Sequence, residues 1–162
     1  MTKVYIDMDG VLADFFGEIE RMQNVSHYSK INVPETMAKI KGTPFFSTLP
    51  KLPNADLLVN TVVNLFGNYS ILSTPLPEDE GNTIKHKHIW IETYLPIQPQ
   101  QIVFSQEKHL YAKGNILIDD HRPNINLWQE HGGIGIKYKA LSKNYTVYDI
   151  IEKLHGIKSN IL

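Results

Sequence analysis

Lys3-Val4-Tyr5-Ile6-Asp7-Met8-Asp9-Gly10-Val11-Leu12-Ala13-Asp14 is the segment from which the rest of the chain can be interpreted. Its residues 4–6 form an apolar, β-prone run without polar alternation, which is typical of a strand buried on both faces. Asp7 and Asp9 follow at positions i and i+2, so their side chains share one face of an extended backbone, and Gly10 comes next. The segment therefore predicts a buried strand that ends in two carboxylates and a turn.

Two carboxylates on one face at the end of a buried strand need a positive partner, because an unpaired buried charge is costly. A hard divalent cation such as Mg²⁺ prefers oxygen ligands and would serve. The alternative interpretation is a polar turn, since Asp-Gly is a common turn pair. A second acidic pair, Asp119-Asp120, ends another apolar run at 116–118 and favours the metal interpretation.

The pattern Asp-x-Asp-Gly-Val-Leu after a strand resembles the first motif of the haloacid dehalogenase (HAD) superfamily of phosphohydrolases. The longer run from Asp7 to Phe15 resembles, more narrowly, the 5′(3′)-deoxyribonucleotidase (cytosolic type C) family within that superfamily. The resemblance extends in patches over most of the chain and is weak between about residues 20 and 43. It implies an α/β fold, the HAD-like Rossmannoid three-layer parallel sheet, with a small helical cap inserted after the first strand.

Composition narrows the function classes. The 162 residues suffice for one domain with a sizeable core, and the net charge of −1 comes with acids and bases interspersed. No basic stripe is present to neutralise a nucleic-acid backbone, which argues against a polynucleotide partner. Cysteine is absent, and no apolar run approaches the roughly 18 residues of a membrane span. With no signal-peptide pattern either, we expect a cytoplasmic protein without a membrane partner; the oligomeric state stays open.

From residue 54 onward, helical and strand patterns alternate regularly. Strands are predicted at 69–72, 102–104, 116–118 and 134–136, and helices at 55–66, within 80–94, around 123–130 and at 147–154. Asn54 is a candidate N-cap for the first of these helices. This alternation predicts a parallel sheet with helices on both faces and a ligand site beyond the carboxyl ends of the strands.

The segment between the first strand and residue 54 is harder to interpret. It begins with a predicted helix at 15–22, contains four prolines and has a short helical pattern at about 35–41. We expect residues 16–53 to form a small cap insertion, and residues 1–15 and 54–162 to form the HAD-like catalytic core.

Ser73 and Thr74 follow the second predicted strand directly. A Ser-Thr-Pro sequence is an ordinary turn. The superfamily, however, places a phosphate-binding hydroxyl at this point, and the resemblance puts Ser73 on that position. The local sequence is similar to the nucleotidase Thr-Ser-Pro with the hydroxyls exchanged, so Ser73 and Thr74 are both candidate substrate-binding residues.

The superfamily also uses a lysine before the second acidic strand. Lys108 and Lys113 are the main candidates, with Lys85 and Lys87 less favoured, because most lysines are simply solvated. Residues 104–108 resemble the family segment that carries this lysine, so we choose Lys108. The family often has an arginine two residues earlier, where this chain has Gln106, which leaves the predicted site one positive charge short.

The second acidic pair also has distinct predicted roles. Adjacent side chains point to opposite sides of an extended backbone, so Asp119 and Asp120 cannot contribute identically. By resemblance, Asp120 is a direct metal ligand and Asp119 lies behind it. Several histidines could suggest a zinc site, but their spacing fits no zinc motif. They are better interpreted as surface or core residues.

The resemblance implies hydrolysis of a small-molecule phosphomonoester through an aspartyl-phosphate. Asp7 is then the nucleophile and Asp9 the general acid and base. The resemblance also implies a bound Mg²⁺, held by Asp7, by the backbone carbonyl of Asp9 and by Asp120. It further implies that Ser73, Lys108 and backbone amides near Gly10 bind the phosphate.

Phe15 lies eight residues after Asp7, and the resemblance implies that it packs against the pyrimidine of a deoxyribonucleoside monophosphate. The alternative is that Phe15 or Phe16 belongs to the core. The cap lacks tryptophan, so only Tyr28, Phe45 and Phe46 are available to complete a base pocket. Two other functions stay open: a phosphatase of another metabolite, such as a sugar phosphate, and a catalytically silent HAD-like binding module.

Overall fold

A five-stranded, all-parallel sheet forms the centre of the protein in a computed structural model that describes residues 1–161. The strands are β1 Val4–Ile6, β2 Ser70–Ser73, β3 Gln101–Phe104, β4 Ile116–Asp119 and β5 Ile134–Lys137. Their spatial order is β3-β2-β1-β4-β5, which places β1 in the middle. The strand patterns of the sequence are thereby confirmed, with most strands extended by a residue.

Six α-helices surround the sheet: α1 Phe15–Gln23, α2 Val33–Ile40, α3 Ala55–Phe66, α4 Glu80–Tyr94, α5 Arg122–Glu130 and α6 Val147–Ile161. Side chains of α1, α2, α3, α4 and α6 join the main hydrophobic core. On the other face, α5 contributes Ile125 and Trp128 to a smaller core with Tyr5 and Leu117. Helices on both faces of a parallel sheet make the three-layer α/β fold, as predicted.

The start of α3 differs from the prediction. Asn54 does precede the helix, but its backbone is left-handed, with φ 67°, and its side chain makes no capping hydrogen bond. The helix instead gains its stability from its buried face, where Leu58, Val59 and Val62 lie in the main core.

Residues 16–53 contribute no strand to the sheet. They contain α1, α2 and two short 3₁₀ helices at Tyr28–Lys30 and Phe45–Ser47. Phe45 and Phe46 are buried in the same core as the sheet. The division into a cap at 16–53 and a catalytic core stays a prediction.

None of the helices within residues 1–161 is both long enough and apolar enough to cross a membrane.

Candidate active site

An acidic cluster lies where the two central strands end. Asp7 follows β1, and its backbone N–H donates to the carbonyl of Ile118 in β4 at 2.9 Å, so the ends of these strands are held side by side. Asp119 is the last residue of β4, and Asp120 comes next. One carboxylate oxygen from each of Asp7, Asp119 and Asp120 lies within 4.8 Å of the others. Three acidic oxygen ligands at this spacing suit a hard cation such as Mg²⁺.

Lys108 lies between two of these carboxylates. It begins the 3₁₀ helix Lys108–Tyr111, and its buried Nζ donates to Asp7 Oδ1 at 2.9 Å and to Asp119 Oδ2 at 2.7 Å. Burial by itself would lower the pKa of Lys108, but the two carboxylates raise that pKa above its ordinary value. The lysine is therefore charged at neutral pH, as a residue that offsets a phosphate dianion must be.

The two adjacent aspartates have different surroundings. Asp119 is fully buried, and both of its oxygens accept hydrogen bonds: Oδ1 from the His121 backbone N–H at 2.8 Å, and Oδ2 from Lys108 and from Asn124 Nδ2 at 3.1 Å. Asp120 is partly buried, and burial, with the nearby charges of Asp7 and Asp119, raises its pKa to about 9. The oxygens of Asp119 are thus committed to protein donors, while Asp120 needs an added positive charge to ionise at neutral pH.

Asp7 shares this need for a cation. Its burial and the proximity of Asp119 raise its pKa to about 6, although Lys108 lowers it. A divalent cation among these three carboxylates would offset their mutual repulsion and favour the ionised forms of Asp7 and Asp120.

Gly10 allows the cluster to close. Its backbone has φ 81°, and a Cβ at this position would lie 2.6 Å from Asp120 Oδ2 and 2.8 Å from the ring of Phe16. The N–H of Gly10 donates to the Ala13 carbonyl at 2.9 Å, so this amide is already engaged within the loop. The feature of Gly10 that this geometry shows is its missing side chain, and the phosphate contact of backbone amides near Gly10 stays a prediction.

Lys87, which the sequence pattern does not favour, nevertheless lies in the site. Its Nζ donates to Asp9 Oδ2 at 3.0 Å, to Ser73 Oγ at 2.7 Å and to the Thr74 carbonyl at 3.1 Å. One sequence signal could have found it: with Thr83, Trp90 and Ile91, Lys87 occupies the buried stripe of α4, where a lysine is out of place without a charged partner.

The two hydroxyl residues after β2 have different positions. Thr74 lines the cavity over the acidic cluster, and its hydroxyl donates to the Ser105 carbonyl at 3.1 Å. Ser73 is the last residue of β2 and is fully buried, and its hydroxyl oxygen accepts a hydrogen bond from Lys87. The structure therefore brings both predicted hydroxyls to the site but puts Thr74 on its surface.

The cavity over the cluster has a volume of about 390 Å³ and includes all of the predicted charged residues in its lining. Those that line it are Asp7, Asp9, Lys108, Asp119 and Asp120, together with Phe15, Phe16, Thr74, Gln106, His121 and Asn124. Gln106 donates to the Pro75 carbonyl at 2.9 Å and so braces the loop after β2.

The aromatic residues of 16–53 that were available to complete a base pocket do not close over this cavity. Phe45 and Phe46 are buried against Phe15, with ring centroids 5.9 Å and 6.1 Å away from it. Tyr28 packs on Phe16 and lines a larger neighbouring cavity of about 550 Å³ on the far side of Phe16. Phe15 and Phe16 are therefore the aromatic side chains that the catalytic cavity presents to a ligand.

Comparison with known proteins agrees with this geometry. The sequence model for the family "5′ nucleotidase, deoxy (pyrimidine), cytosolic type C protein" matches residues 1–151. A protein assigned as a 5′(3′)-deoxyribonucleotidase in Staphylococcus epidermidis is 26% identical, over 91% of this chain and 86% of its own length. Another with the same assignment, from Bordetella bronchiseptica, is 29% identical over 75% of each chain.

Solved structures show the same fold. A HAD-family enzyme from Bacteroides thetaiotaomicron, crystallised with magnesium, matches with a TM-score of 0.56 at 17% identity, over 88% of this chain and 96% of its own. A HAD-superfamily hydrolase from Ehrlichia chaffeensis matches with a TM-score of 0.51 at 16% identity, over 97% of this chain and 98% of its own.

Proposed function

Because the chain belongs to the 5′ nucleotidase, deoxy (pyrimidine), cytosolic type C family of HAD-superfamily hydrolases, we propose that it is a Mg²⁺-dependent 5′(3′)-deoxyribonucleotidase. The reaction is hydrolysis of a (deoxy)ribonucleoside monophosphate through an aspartyl-phosphate. The observation that carries the proposal is the cluster of Asp7, Asp119 and Asp120 at the ends of β1 and β4, with Lys108 bonded to Asp7 and Asp119. A cytoplasmic location is proposed with it.

Mg²⁺ fits the donor set of this site. Asp7 and Asp120 supply carboxylate oxygens, and burial and the neighbouring carboxylates raise the pKa values of both groups, which a bound cation would lower again. The backbone carbonyl of Asp9 is the proposed third protein ligand. Asp119 accepts a hydrogen bond from Lys108 and so holds this lysine next to Asp7. Bound Mg²⁺ would neutralise the repulsion between the carboxylate and the phosphate and stabilise charge in the transition state.

The first half of the proposed reaction forms a bond between Asp7 and phosphorus. A carboxylate oxygen of Asp7 attacks the phosphorus atom, and the ester bond to the nucleoside oxygen breaks. Asp9 gives a proton to the departing oxygen, which leaves as the nucleoside hydroxyl. The position of Asp9 suits this role, because the residue lines the cavity beside Asp7 and Lys87 holds its Oδ2 in place.

In the second half, Asp9 takes a proton from a water molecule, whose oxygen attacks phosphorus. The bond from phosphorus to Asp7 breaks, which releases inorganic phosphate and restores the carboxylate. Lys108 and Thr74, which line the cavity, are the proposed partners of the phosphoryl oxygens, with Lys108 as the main source of positive charge. The predicted phosphate contact of Ser73 is not part of this proposal, because Ser73 is fully buried against Lys87.

The proposed contact to the nucleoside is Phe15, which lines the cavity next to Asp7 and Asp9. A single ring stacked on a base contributes roughly 1–3 kcal/mol. With Phe45 and Phe46 buried behind Phe15, this contact favours nucleotides but encloses the base only in part.

This incomplete enclosure of the base is the reason to keep a second candidate function, hydrolysis of another small phosphomonoester such as a sugar phosphate. The experiment that separates the two is a phosphate-release panel of deoxyribonucleotides, ribonucleotides and sugar phosphates, each with Mg²⁺ and with EDTA. We expect Mg²⁺-dependent turnover with the highest kcat/KM on dUMP or dTMP. Good turnover of sugar phosphates without nucleotide hydrolysis would reject the nucleotidase, and no turnover of any ester would favour the silent binding module.

A further inference from the structure

Lys87 is a buried cation that the proposed reaction does not yet use. It is 1% exposed, lies on the inner face of α4 and is covered by the ring of Phe46, whose centroid is 5.0 Å from Nζ. A buried ammonium is stable only when its hydrogen bonds and its charge are both satisfied. Its partners therefore show what the fold uses it for.

All three N–H groups of Lys87 have acceptors. They point to Asp9 Oδ2, Ser73 Oγ and the Thr74 carbonyl, at 3.0, 2.7 and 3.1 Å. An ammonium has three donors and no acceptor, so this geometry is complete. Two of the partners belong to the end of β2 and the third to the loop after β1, so Lys87 joins the two loops that border the catalytic cavity.

The contact with Lys87 makes the two oxygens of Asp9 different. Oδ2 accepts a hydrogen bond from the Lys87 ammonium. Oδ1 is buried and has no hydrogen-bond partner among residues 1–161. The contact with Lys87 is therefore what fixes the orientation of the Asp9 carboxyl at the edge of the cavity.

We propose that Lys87 is a positioning residue, which acts through Asp9 by anchoring Oδ2 and so holding the carboxyl in the orientation that proton transfer needs. The proposal rests on the proposed phosphomonoesterase function. It gives Ser73 a role that its full burial fits, namely to hold Lys87 in place from the end of β2. The proposal also gives the site a second positive charge in addition to Lys108. Gln106, at the position where the family often has an arginine, is neutral and donates to the Pro75 carbonyl.

The test compares Lys87→Met with Lys85→Met, a matched control two residues earlier on α4 whose side chain is exposed. Each variant is assayed with dUMP, whose nucleoside leaving group needs a proton, and with p-nitrophenyl phosphate, whose leaving group does not. Leaving-group release is followed in a single turnover, because the second half of the reaction needs Asp9 for both substrates. A misplaced catalytic group costs up to about 10²-fold in rate. We expect Lys87→Met to lower the rate of nucleoside release from dUMP by about 10- to 100-fold, with less than about a threefold loss in the rate of p-nitrophenol release. Lys85→Met should match the wild type.

A double-mutant comparison keeps the proposal testable if Lys87→Met alone fails to fold. Removing one partner leaves the Asp9 carboxylate buried and unpaired, whereas Asp9→Asn combined with Lys87→Met removes both charges. If Lys87 acts through Asp9, the double variant should retain the dUMP activity of Asp9→Asn within about threefold.

Two results would overturn the role of Lys87 alone: equal losses for both substrates, or a further loss above about tenfold on adding Lys87→Met to Asp9→Asn. Either would occur in a protein whose wild type still hydrolyses phosphomonoesters. A wild type inactive on every ester would instead remove the proposed function, and this inference with it.

Discussion

At the scale of single residues, position in the sheet separates aspartates that look alike in the sequence. Asp119 has both oxygens bonded to protein donors and is fully buried. Asp7 and Asp120 have pKa values raised to about 6 and about 9, first by burial and then by neighbouring carboxylates. Asp9 has one oxygen bonded to Lys87 and the other buried, with no hydrogen-bond partner among residues 1–161. These differences support four distinct roles, and each can be tested by substitution.

Asp7→Asn should abolish turnover and leave the fold intact. The amide cannot act as the nucleophile, and losses on removing a nucleophile are on the order of 10⁴-fold or more. Lys108 keeps Asp119 as a charged partner, so no buried charge is left unpaired. Phosphate release and thermal unfolding measure the two outcomes. A folded Asp7→Asn protein with near-normal activity would rule out the aspartyl-phosphate route.

Asp120→Asn should raise the Mg²⁺ concentration needed for half-maximal activity by at least about tenfold, and by more than Asp119→Asn does. The reason is that a lost direct ligand weakens metal binding more than a lost supporting bond, which itself costs about 10- to 100-fold at most. A metal titration of both variants decides the order, and the reverse order would exchange the two roles.

Phe15→Ala should raise KM for dUMP by about 5- to 150-fold, the equivalent of roughly 1–3 kcal/mol of lost stacking, and scarcely change p-nitrophenyl phosphate hydrolysis. Because Phe15 also packs on Phe45 and Phe46, Phe15→Leu is the control that keeps apolar volume without the ring. Unchanged KM for dUMP in both variants would place the base elsewhere in the cavity.

At the scale of secondary-structure elements, the loop between β1 and α1 determines how closely the acidic cluster can assemble. Gly10 has positive φ and is so near Asp120 that even a methyl group would overlap it. Helix α4 contributes in a different way, since its buried stripe carries Lys87 to the end of β2. Both elements are held by ordinary packing and hydrogen bonds, and both present one unusual residue to the site.

Gly10→Ala should lose both stability and metal-dependent activity. A non-glycine residue at positive φ costs about 1–3 kcal/mol, and the new Cβ would in addition displace Asp120 or Phe16. Gly114→Ala is the matched control, because Gly114 has φ 73° and no atom near its missing Cβ. Urea unfolding should show a similar backbone cost in both variants, whereas a raised Mg²⁺ requirement is expected only for Gly10→Ala. Equal Mg²⁺ requirements would contradict the steric role of Gly10.

At the scale of the whole molecule, the sheet brings together carboxylates that repel one another, and this lowers the stability of the metal-free fold as pH rises. The unfolded chain loses the protons of Asp7 and Asp120 near pH 4, whereas the folded protein keeps them to about 6 and about 9. The folded state thus binds more protons between these values, so the unfolding free energy contributed by these groups falls as pH rises from about 4 to about 9.

Mg²⁺ should therefore raise the melting temperature more at pH 8 than at pH 5, where protons already neutralise part of the cluster. Thermal unfolding in EDTA and in millimolar Mg²⁺ at the two pH values measures this difference. In Asp120→Asn, the pH dependence of the Mg²⁺ effect should shrink. An equal Mg²⁺ shift at both pH values would contradict the competition between protons and metal.

The sequence by itself predicted the fold class and the charged residues that line the cavity, namely Asp7, Asp9, Lys108, Asp119 and Asp120, through its local patterns and the family motifs that they carry. Buried strands show as short apolar runs, and their carboxyl ends show as the acidic pairs after residues 6 and 118. In a parallel sheet all such ends meet at one edge, so the strand pattern and the family motifs together predict that Asp7, Lys108, Asp119 and Asp120 lie close to one another.

The tertiary structure alone decided the contacts between residues far apart in the chain. Lys87 lies 78 positions from Asp9, and only the packing of α4 under Phe46 brings its ammonium to that carboxylate. The same holds for the different surroundings of Ser73 and Thr74 and for the burial of Phe45 and Phe46 behind Phe15. The physical reason is that strand and turn patterns reflect local backbone preferences, whereas the partner of a buried charge is set by which side chains the core brings within hydrogen-bonding distance.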